Sequence, residues 1–216
     1  MGHRLVDSVH LGHVGTREVV RMTFSSAAYW VARFAVGGVS GSGSEGTNRL
    51  WKAQVINDFV AAYGVRDVIE YGCGDGRQLE AANYPQYLGL DVSKTAVEMC
   101  ETVFAHDPTK TFHTLPLPWP AAADLVLSLD VIYHLTEDDV FEQHIHDVFA
   151  TALHWVILYT TDSDYIDPGF VPAPHVKHRY VAHHVEKNVR GWRLENFVLN
   201  PAPRNGGCDF YIYGRP

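Results

Sequence analysis

Two spacings of apolar residues alternate along the chain, and they predict helices and strands. Residues 47–63 carry apolar side chains on one helical stripe, and Gly64 after them is a favourable residue to end a helix. The stripe consists of Leu50, Trp51, Val55, Ile56, Phe59 and Val60. Short apolar runs typical of buried strands follow, and they alternate with further helical patterns.

The order of these segments predicts the fold class. Predicted strands cover residues 67–71, 86–90, 111–114, 124–129, 154–159, 192–199 and 209–213. Predicted helices cover residues 25–36, 47–63, 76–82, 93–105, 137–153 and 179–188. Alternating strands and helices predict right-handed crossovers and a mostly parallel sheet, whereas the last two strands share a short turn. We therefore expect an α/β fold: a doubly wound, seven-stranded, mostly parallel sheet with a C-terminal antiparallel hairpin.

The stretch VIEYGCGDG, residues 68–76, places an acid directly before three glycines. The glycines do not fit the dinucleotide spacing G-x-G-x-x-G, because Arg77 stands at the last glycine position. Glu70 would also repel a polyphosphate. Asp91, at the end of the second strand, suits the hydroxyls of a ribose. Together these residues favour a nucleoside without a pyrophosphate, such as a sulfonium nucleoside with an amino-acid tail.

Composition and charge restrict the partners. The formal net charge of −8 disfavours a surface built for long nucleic acid. Three widely spaced cysteines without a CxxC pair fit a reducing cytoplasm and offer no zinc framework, so we expect no metal site. No apolar run is long enough to span a bilayer, and we expect a cytoplasmic protein without a membrane partner.

Three motifs in order carry a resemblance to a known family. IEYGCGDG, YLGLDVS and LVLSLDVIYHL fall on the first, second and fourth predicted strands. This set resembles class I S-adenosylmethionine-dependent methyltransferases, which implies a Rossmann-like fold, S-adenosylmethionine as cofactor and S-adenosylhomocysteine as product. The segment from Tyr29 to Gly46 and the run HVKHR extend the likeness over residues 29–213. The chain is similar there to small bacterial methyltransferases found beside glycan or secondary-metabolite genes.

The resemblance also implies a division of the chain. Residues 25–216 would form a single methyltransferase domain behind a flexible N-terminal extension at residues 1–24, with Met22 as an alternative start. Residues 25–64 would supply N-terminal helices and a loop over the cofactor. The glycine- and serine-rich segment 37–46 has two interpretations: a flexible linker, or a loop that closes over a ligand.

Roles in cofactor binding follow from the resemblance for ten positions. Glu70, Gly72, Cys73 and Gly74 would line the methionine side, Asp91 would bind the ribose, and Val92 and Leu115 would lie beside the adenine. Asp130 would lie near the amino group or sulfonium, and Tyr29 and Arg33 would reach the cofactor carboxylate. The segment after the third strand lacks the acid that usually contacts adenine in this superfamily.

The candidate residues for catalysis and for binding the methyl acceptor are histidines and their neighbours. His134 has two interpretations, a catalytic base or a structural residue that packs against the cofactor loop. Tyr133 is expected to bind the substrate or to form part of the cofactor wall, and not to act as a catalyst. His175, His178 and Arg179 either bind the substrate or belong to an ordinary polar surface loop. His144 and His146 lie two apart on a predicted helix and are expected to be solvated.

The predicted function is methyl transfer from S-adenosylmethionine to an O or N atom of a small molecule, a sugar, glycan precursor or natural product. A nucleic-acid methyltransferase is an alternative, but it would favour a basic face and a proline-containing turn where this chain has Asp130 to Tyr133. A non-catalytic S-adenosylmethionine-binding protein is a second alternative. The glycine spacing disfavours an NAD-dependent oxidoreductase.

Overall fold

The computed structural model describes residues 24–163, 173–201 and 207–216. Its strands are β1 Asp67–Tyr71, β2 Gln86–Asp91, β3 Lys110–Thr114, β4 Ala123–Leu129, β5 Ala152–Thr160, β6 Arg193–Val198 and β7 Asp209–Gly214. Its helices are α1 Ser26–Ala35, α2 Gly46–Tyr63, α3 Lys94–Val103, α4 Asp138–Thr151 and α5 Val181–Asn188. The predicted N-terminal extension lies outside the described residues except for Phe24.

The seven strands form one sheet in the order β3-β2-β1-β4-β5-β7-β6. Neighbours from β3 to β5 are parallel, and β7 is antiparallel to both β5 and β6. The predicted fold class is confirmed. Strand order reverses between β1 and β4, and ligands of open α/β sheets bind at the carboxyl ends of the strands beside such a reversal.

Two hydrophobic clusters, one on each face of the sheet, make up the core. Buried side chains of α2 and α3 pack on one face, and those of α4 and α5 pack on the other. Every residue of β4 is buried, as expected for a central parallel strand covered by helices on both sides. This core fixes the carboxyl ends of β1, β2 and β4 next to one another.

The prediction of a helix over residues 76–82 is wrong. The segment forms only a single turn of 3₁₀ helix at Leu79–Ala81. Pro85 has no N–H to bond the Ala81 carbonyl in a continued helix, and the Asn57 side chain donates to that carbonyl instead at 3.0 Å. Hydrogen bonds to α2 therefore replace those of a helix, and they keep the glycine loop against α2.

The segment 37–46 is fastened to the glycine loop. The Ser40 backbone N–H and hydroxyl donate to the two carboxylate oxygens of Asp75 at 3.1 and 2.7 Å, and the Asp75 N–H donates to the Ser40 hydroxyl at 3.1 Å. Glu45 forms an ion pair with Arg77 at 2.5 Å. These contacts favour the interpretation as a covering loop over that as a linker.

Candidate active site

A pocket lies at the carboxyl ends of β1, β2 and β4, where ligands of open α/β sheets bind. Nine of the predicted site residues line it: Glu70, Gly72, Cys73, Gly74, Asp91, Val92, Leu115, Asp130 and His134. Six do not line it: Tyr29, Arg33, Tyr133, His175, His178 and Arg179. The structure thus brings together residues that lie far apart in sequence, and their roles stay predictions.

The glycine loop passes so close to its neighbours that it has no room for side chains. A Cβ at Gly72 would overlap the Val131 side chain, and a Cβ at Gly74 would overlap the Ser40 hydroxyl. Gly74 also has a φ of +57°, in the left-handed region that favours glycine. The loop therefore presents bare backbone to the pocket.

Asp91 connects the glycine loop to the start of α3. It is 7% exposed, and its carboxylate accepts hydrogen bonds from the Gly74 N–H at 3.0 Å and the Ser93 N–H at 2.8 Å. Burial raises the pKa of Asp91, while these backbone donors favour the charged form. Each carboxylate oxygen has two lone pairs, so capacity remains for hydroxyl groups of a ligand in the pocket.

Glu70 is a second buried carboxylate in the pocket wall. It is 3% exposed, and the Tyr87 hydroxyl donates to it at 2.7 Å. Burial raises the pKa of Glu70 to about 7, against the opposing effects of Tyr87 and Lys52. A ligand cation near this carboxylate would favour its charged form, because an opposite charge offsets the loss of solvent.

Lys52 is a buried cation in the same wall that the sequence analysis did not identify. It lies on α2 with its Nζ 2.5 Å from the Asp130 carboxylate and 5.0 Å from the centre of the Tyr159 ring. The Tyr133 hydroxyl donates to the other Asp130 oxygen at 3.0 Å. Asp130 holds these contacts with a φ of +59°, an uncommon value for a residue other than glycine.

His134 lies in the pocket wall with a defined tautomer. Its Nδ1 is 2.9 Å from the carbonyl oxygen of His175, and a carbonyl only accepts, so Nδ1 carries the proton. Burial lowers the pKa of His134, which favours the neutral ring with a lone pair on Nε2. Within the described residues, Nε2 has no hydrogen-bond partner. This arrangement suits a proton acceptor.

The segment 173–179 packs on the outside of the His134 turn. The His175 ring stacks on Tyr29 at 4.5 Å, and His178 is 2.8 Å from the Thr161 hydroxyl. Arg179 donates to the backbone carbonyls of residues 135 and 136 at 2.7 and 3.1 Å and to the Asp138 carboxylate. These contacts hold the turn that carries His134, and with it this part of the pocket wall, in position.

The expectation that His144 is solvated is wrong. His144 is partly buried and lines the pocket, with Nε2 2.8 Å from the Ser128 hydroxyl and its ring edge-on to Tyr71. Burial lowers its pKa to about 4. His146 is exposed, as expected, because residues two apart on a helix point in different directions.

Neither a metal-ligand cluster nor a membrane-spanning helix is found among the described residues. Among these residues, no group of histidine, cysteine, aspartate or glutamate side chains is arranged to hold a metal ion. No helix in the same part of the chain is both long and apolar enough to cross a membrane.

We expect Gly74→Ala to lower the affinity for S-adenosylhomocysteine about tenfold, because the new methyl group would displace Ser40 and the loop that carries it. Gly64→Ala is the matched control: Gly64 has a similar φ of +61°, but nothing lies within 4 Å of its Cβ position. Calorimetric titration of both variants provides the measurement. Equal affinities in the two variants would show that the contact with Ser40 does not affect the binding site.

Comparison with known proteins gives one family match and several matches in fold. Residues 69–151, from β1 to α4, match a family model described as a methyltransferase domain. The N-methyltransferase NodS of Bradyrhizobium japonicum, solved with S-adenosylhomocysteine, is 12% identical with a TM-score of 0.69 over 88% of this chain and 98% of NodS. Magnesium protoporphyrin IX methyltransferase of Synechocystis, solved with S-adenosylmethionine, is 17% identical with a TM-score of 0.64 over 90% and 99%.

A third solved structure, an S-adenosylmethionine-dependent methyltransferase of Clostridium acetobutylicum, is 13% identical with a TM-score of 0.60 over 80% of this chain and 93% of that one. Structural matches at such low sequence identity establish that the fold is shared. No curated protein matches the chain in sequence. Residues 69–151 thus match a methyltransferase domain, and the chain shares its fold with solved S-adenosylmethionine-dependent methyltransferases.

Proposed function

We propose that the protein transfers a methyl group from S-adenosylmethionine to an O or N atom of a small molecule, namely a sugar, glycan precursor or natural product. The observation that carries this proposal is His134, a neutral imidazole in the wall of the pocket whose Nε2 has no hydrogen-bond partner among the described residues. A hydroxyl acceptor needs such a base, whereas a neutral amine can react without one.

The residues of the pocket fit the cofactor. Asp91 offers a buried carboxylate for ribose hydroxyls, and the glycine loop offers bare backbone close to the ligand. Val92 and Leu115 offer apolar surfaces for the adenine. The carboxylates of Glu70 and Asp130 suit a ligand that carries a sulfonium and an ammonium group. The fit is chemical, because cations of the ligand would lie beside acidic side chains.

The bound cofactor supplies an electrophilic methyl group on a positive sulfonium. The protein's own contribution is position and exclusion of water, because in-line displacement depends on the alignment of the two reactants. Trp30 on α1 and the loop 37–46 cover the pocket, and Trp30 contacts the His134 ring edge-on at 4.9 Å. His134 would accept the proton that the acceptor hydroxyl loses.

A small acceptor fits better than a nucleic acid. α1 and the fastened loop 37–46 cover the pocket, so a duplex or long single strand has little room to enter beside them. The net charge of −8 also disfavours a phosphate backbone. Magnesium protoporphyrin IX methyltransferase, which shares the fold, has a small-molecule substrate by its name. The free and buried cysteines fit the proposed cytoplasmic location.

Methyl-labelled S-adenosylmethionine tests the proposal when it is supplied with pooled sugars, amines and metabolite acids, and separately with DNA and RNA. We expect label in a small-molecule product and none in nucleic acid. Calorimetry run in parallel should give S-adenosylhomocysteine binding and no NADH binding. Label in nucleic acid would support the first alternative function, and cofactor binding without transfer to any pool would support a non-catalytic role.

A further inference from the structure

We propose that Lys52 and Gln78 form the subsite for the amino-acid tail of the cofactor. Lys52 binds the α-carboxylate, and the side-chain oxygen of Gln78 accepts a hydrogen bond from the α-ammonium. The inference rests on the cofactor named in the proposed function, and it goes further by assigning each charge of the tail to one side chain. The resemblance implied Arg33 and Tyr29 for the carboxylate instead.

Lys52 retains hydrogen-bonding capacity inside the pocket. Its relative exposure is 0%, and its ammonium group has three N–H donors. The described residues offer it one acceptor, the Asp130 carboxylate at 2.5 Å, and one ring face, that of Tyr159. A buried ammonium is stable only when its charge and donors are matched. A second carboxylate, brought by the ligand, would complete this environment.

Lys52 is also the single lysine or arginine among the described residues of the pocket wall. The other charged side chains of that wall are carboxylates: Glu70, Asp91 and Asp130. Arg33, by contrast, donates its Nε to the Val39 carbonyl at 2.8 Å and lies over the Trp30 ring. A ligand carboxylate in the pocket therefore meets one cation.

Gln78 supplies the complementary group. It lines the pocket at 6% exposure, and its Nε2 donates to the Arg49 carbonyl at 3.1 Å, which fixes the orientation of the amide. The Oε1 atom is buried and has no donor among the described residues. An unsatisfied buried acceptor is unfavourable, and an ammonium group is a strong donor for it.

The two side chains belong to the same end of the pocket. Arg49, whose carbonyl holds Gln78, lies three residues before Lys52 on α2, one turn away along the helix. Lys52 reaches Asp130 at the end of β4, whereas Asp91 stands at the end of β2 on the other side of β1. A nucleoside whose ribose lies at Asp91 would thus extend its tail across the glycine loop to Lys52.

Calorimetric titration of the full chain with three ligands tests the inference. The ligands are S-adenosylhomocysteine, its analogue without the α-carboxylate and its analogue without the α-amino group. We expect Lys52→Met to weaken S-adenosylhomocysteine about tenfold or more and to change binding of the decarboxylated analogue by less than about twofold. We expect Gln78→Leu to weaken S-adenosylhomocysteine about fivefold and to leave the deaminated analogue unchanged.

The variant Arg33→Met distinguishes the two residues that could bind the α-carboxylate of the ligand, Lys52 and Arg33. The protein is expected to bind S-adenosylhomocysteine more tightly than the analogue without the α-carboxylate. If Arg33→Met, and not Lys52→Met, removes this difference in affinity, the inference is wrong. It is also wrong if a variant weakens all three ligands by the same factor. Because Lys52→Met leaves Asp130 without its cation, thermal unfolding is measured first, and the Gln78 series decides alone if that variant does not fold. Failure of wild type to bind S-adenosylhomocysteine would instead contradict the proposed function.

Discussion

Replacement of His134 by alanine is expected to lower kcat by about 10²- to 10⁴-fold for a hydroxyl acceptor, the range typical of a general base. The Nδ1–H of His134 is committed to the carbonyl of His175, so Nε2 is the atom available to take a proton. The substitution removes this acceptor but none of the carboxylates at the cofactor end of the pocket. Steady-state kinetics with the acceptor, together with calorimetry of S-adenosylhomocysteine, give the two readouts.

His146→Ala is the matched control, because His146 is exposed on α4 and its ring contacts the carboxylate of the adjacent Asp147. It should keep wild-type turnover. Normal turnover in His134→Ala would support the other interpretation, a histidine that only packs against the cofactor loop. A large loss of cofactor affinity in His134→Ala would likewise contradict a role confined to proton transfer.

The pH dependence of kcat/KM is also expected to follow from His134. Burial lowers the pKa of His134 below its usual value of 6.5, so the ring stays neutral until the pH falls through that lower pKa. We expect kcat/KM to decrease with falling pH along a limb below pH 6.5, and this limb should be absent in His134→Ala. A limb near pH 7 that persists in the variant would belong to Glu70, whose pKa is about 7.

Replacement of Asp91 by alanine is expected to weaken S-adenosylhomocysteine about ten- to hundredfold, or about 1.5–3 kcal/mol for hydrogen bonds to a charged group. The reason is direct loss of the ribose acceptor. The substitution also frees the Gly74 and Ser93 N–H groups that the carboxylate holds. Calorimetry measures the affinity, and thermal unfolding shows how much of the effect comes from the loosened loop.

Asp58→Ala serves as the control for removal of one carboxylate, because Asp58 is exposed on α2. Its affinity for S-adenosylhomocysteine should equal that of wild type. A folded Asp91→Ala protein with unchanged affinity would show that the ribose lies elsewhere.

Local patterns were sufficient for the elements of the sheet. Runs of apolar residues indicated β1, β2, β4 and β5, because buried parallel strands need apolar side chains on both faces. Residues beside the glycine loop were also accessible to prediction, since Glu70 and Asp91 sit at strand ends that any parallel sheet brings to one edge. The absent helix at residues 76–82 was the exception, because its stop depends on Pro85 and on a side chain of α2.

The sequence by itself determined the fold class and the acidic, glycine-lined character of the pocket, because these follow from periodicity and from residues within a few positions of a strand end. Only the tertiary structure decided which side chains of distant elements enter that pocket. In the sequence, Lys52 is an ordinary polar position of a helix. Only the folded chain brings it into contact with Asp130, 78 residues later, in the interior of the protein. His144 likewise enters the wall only because α4 packs against β4, and no local pattern specifies that contact.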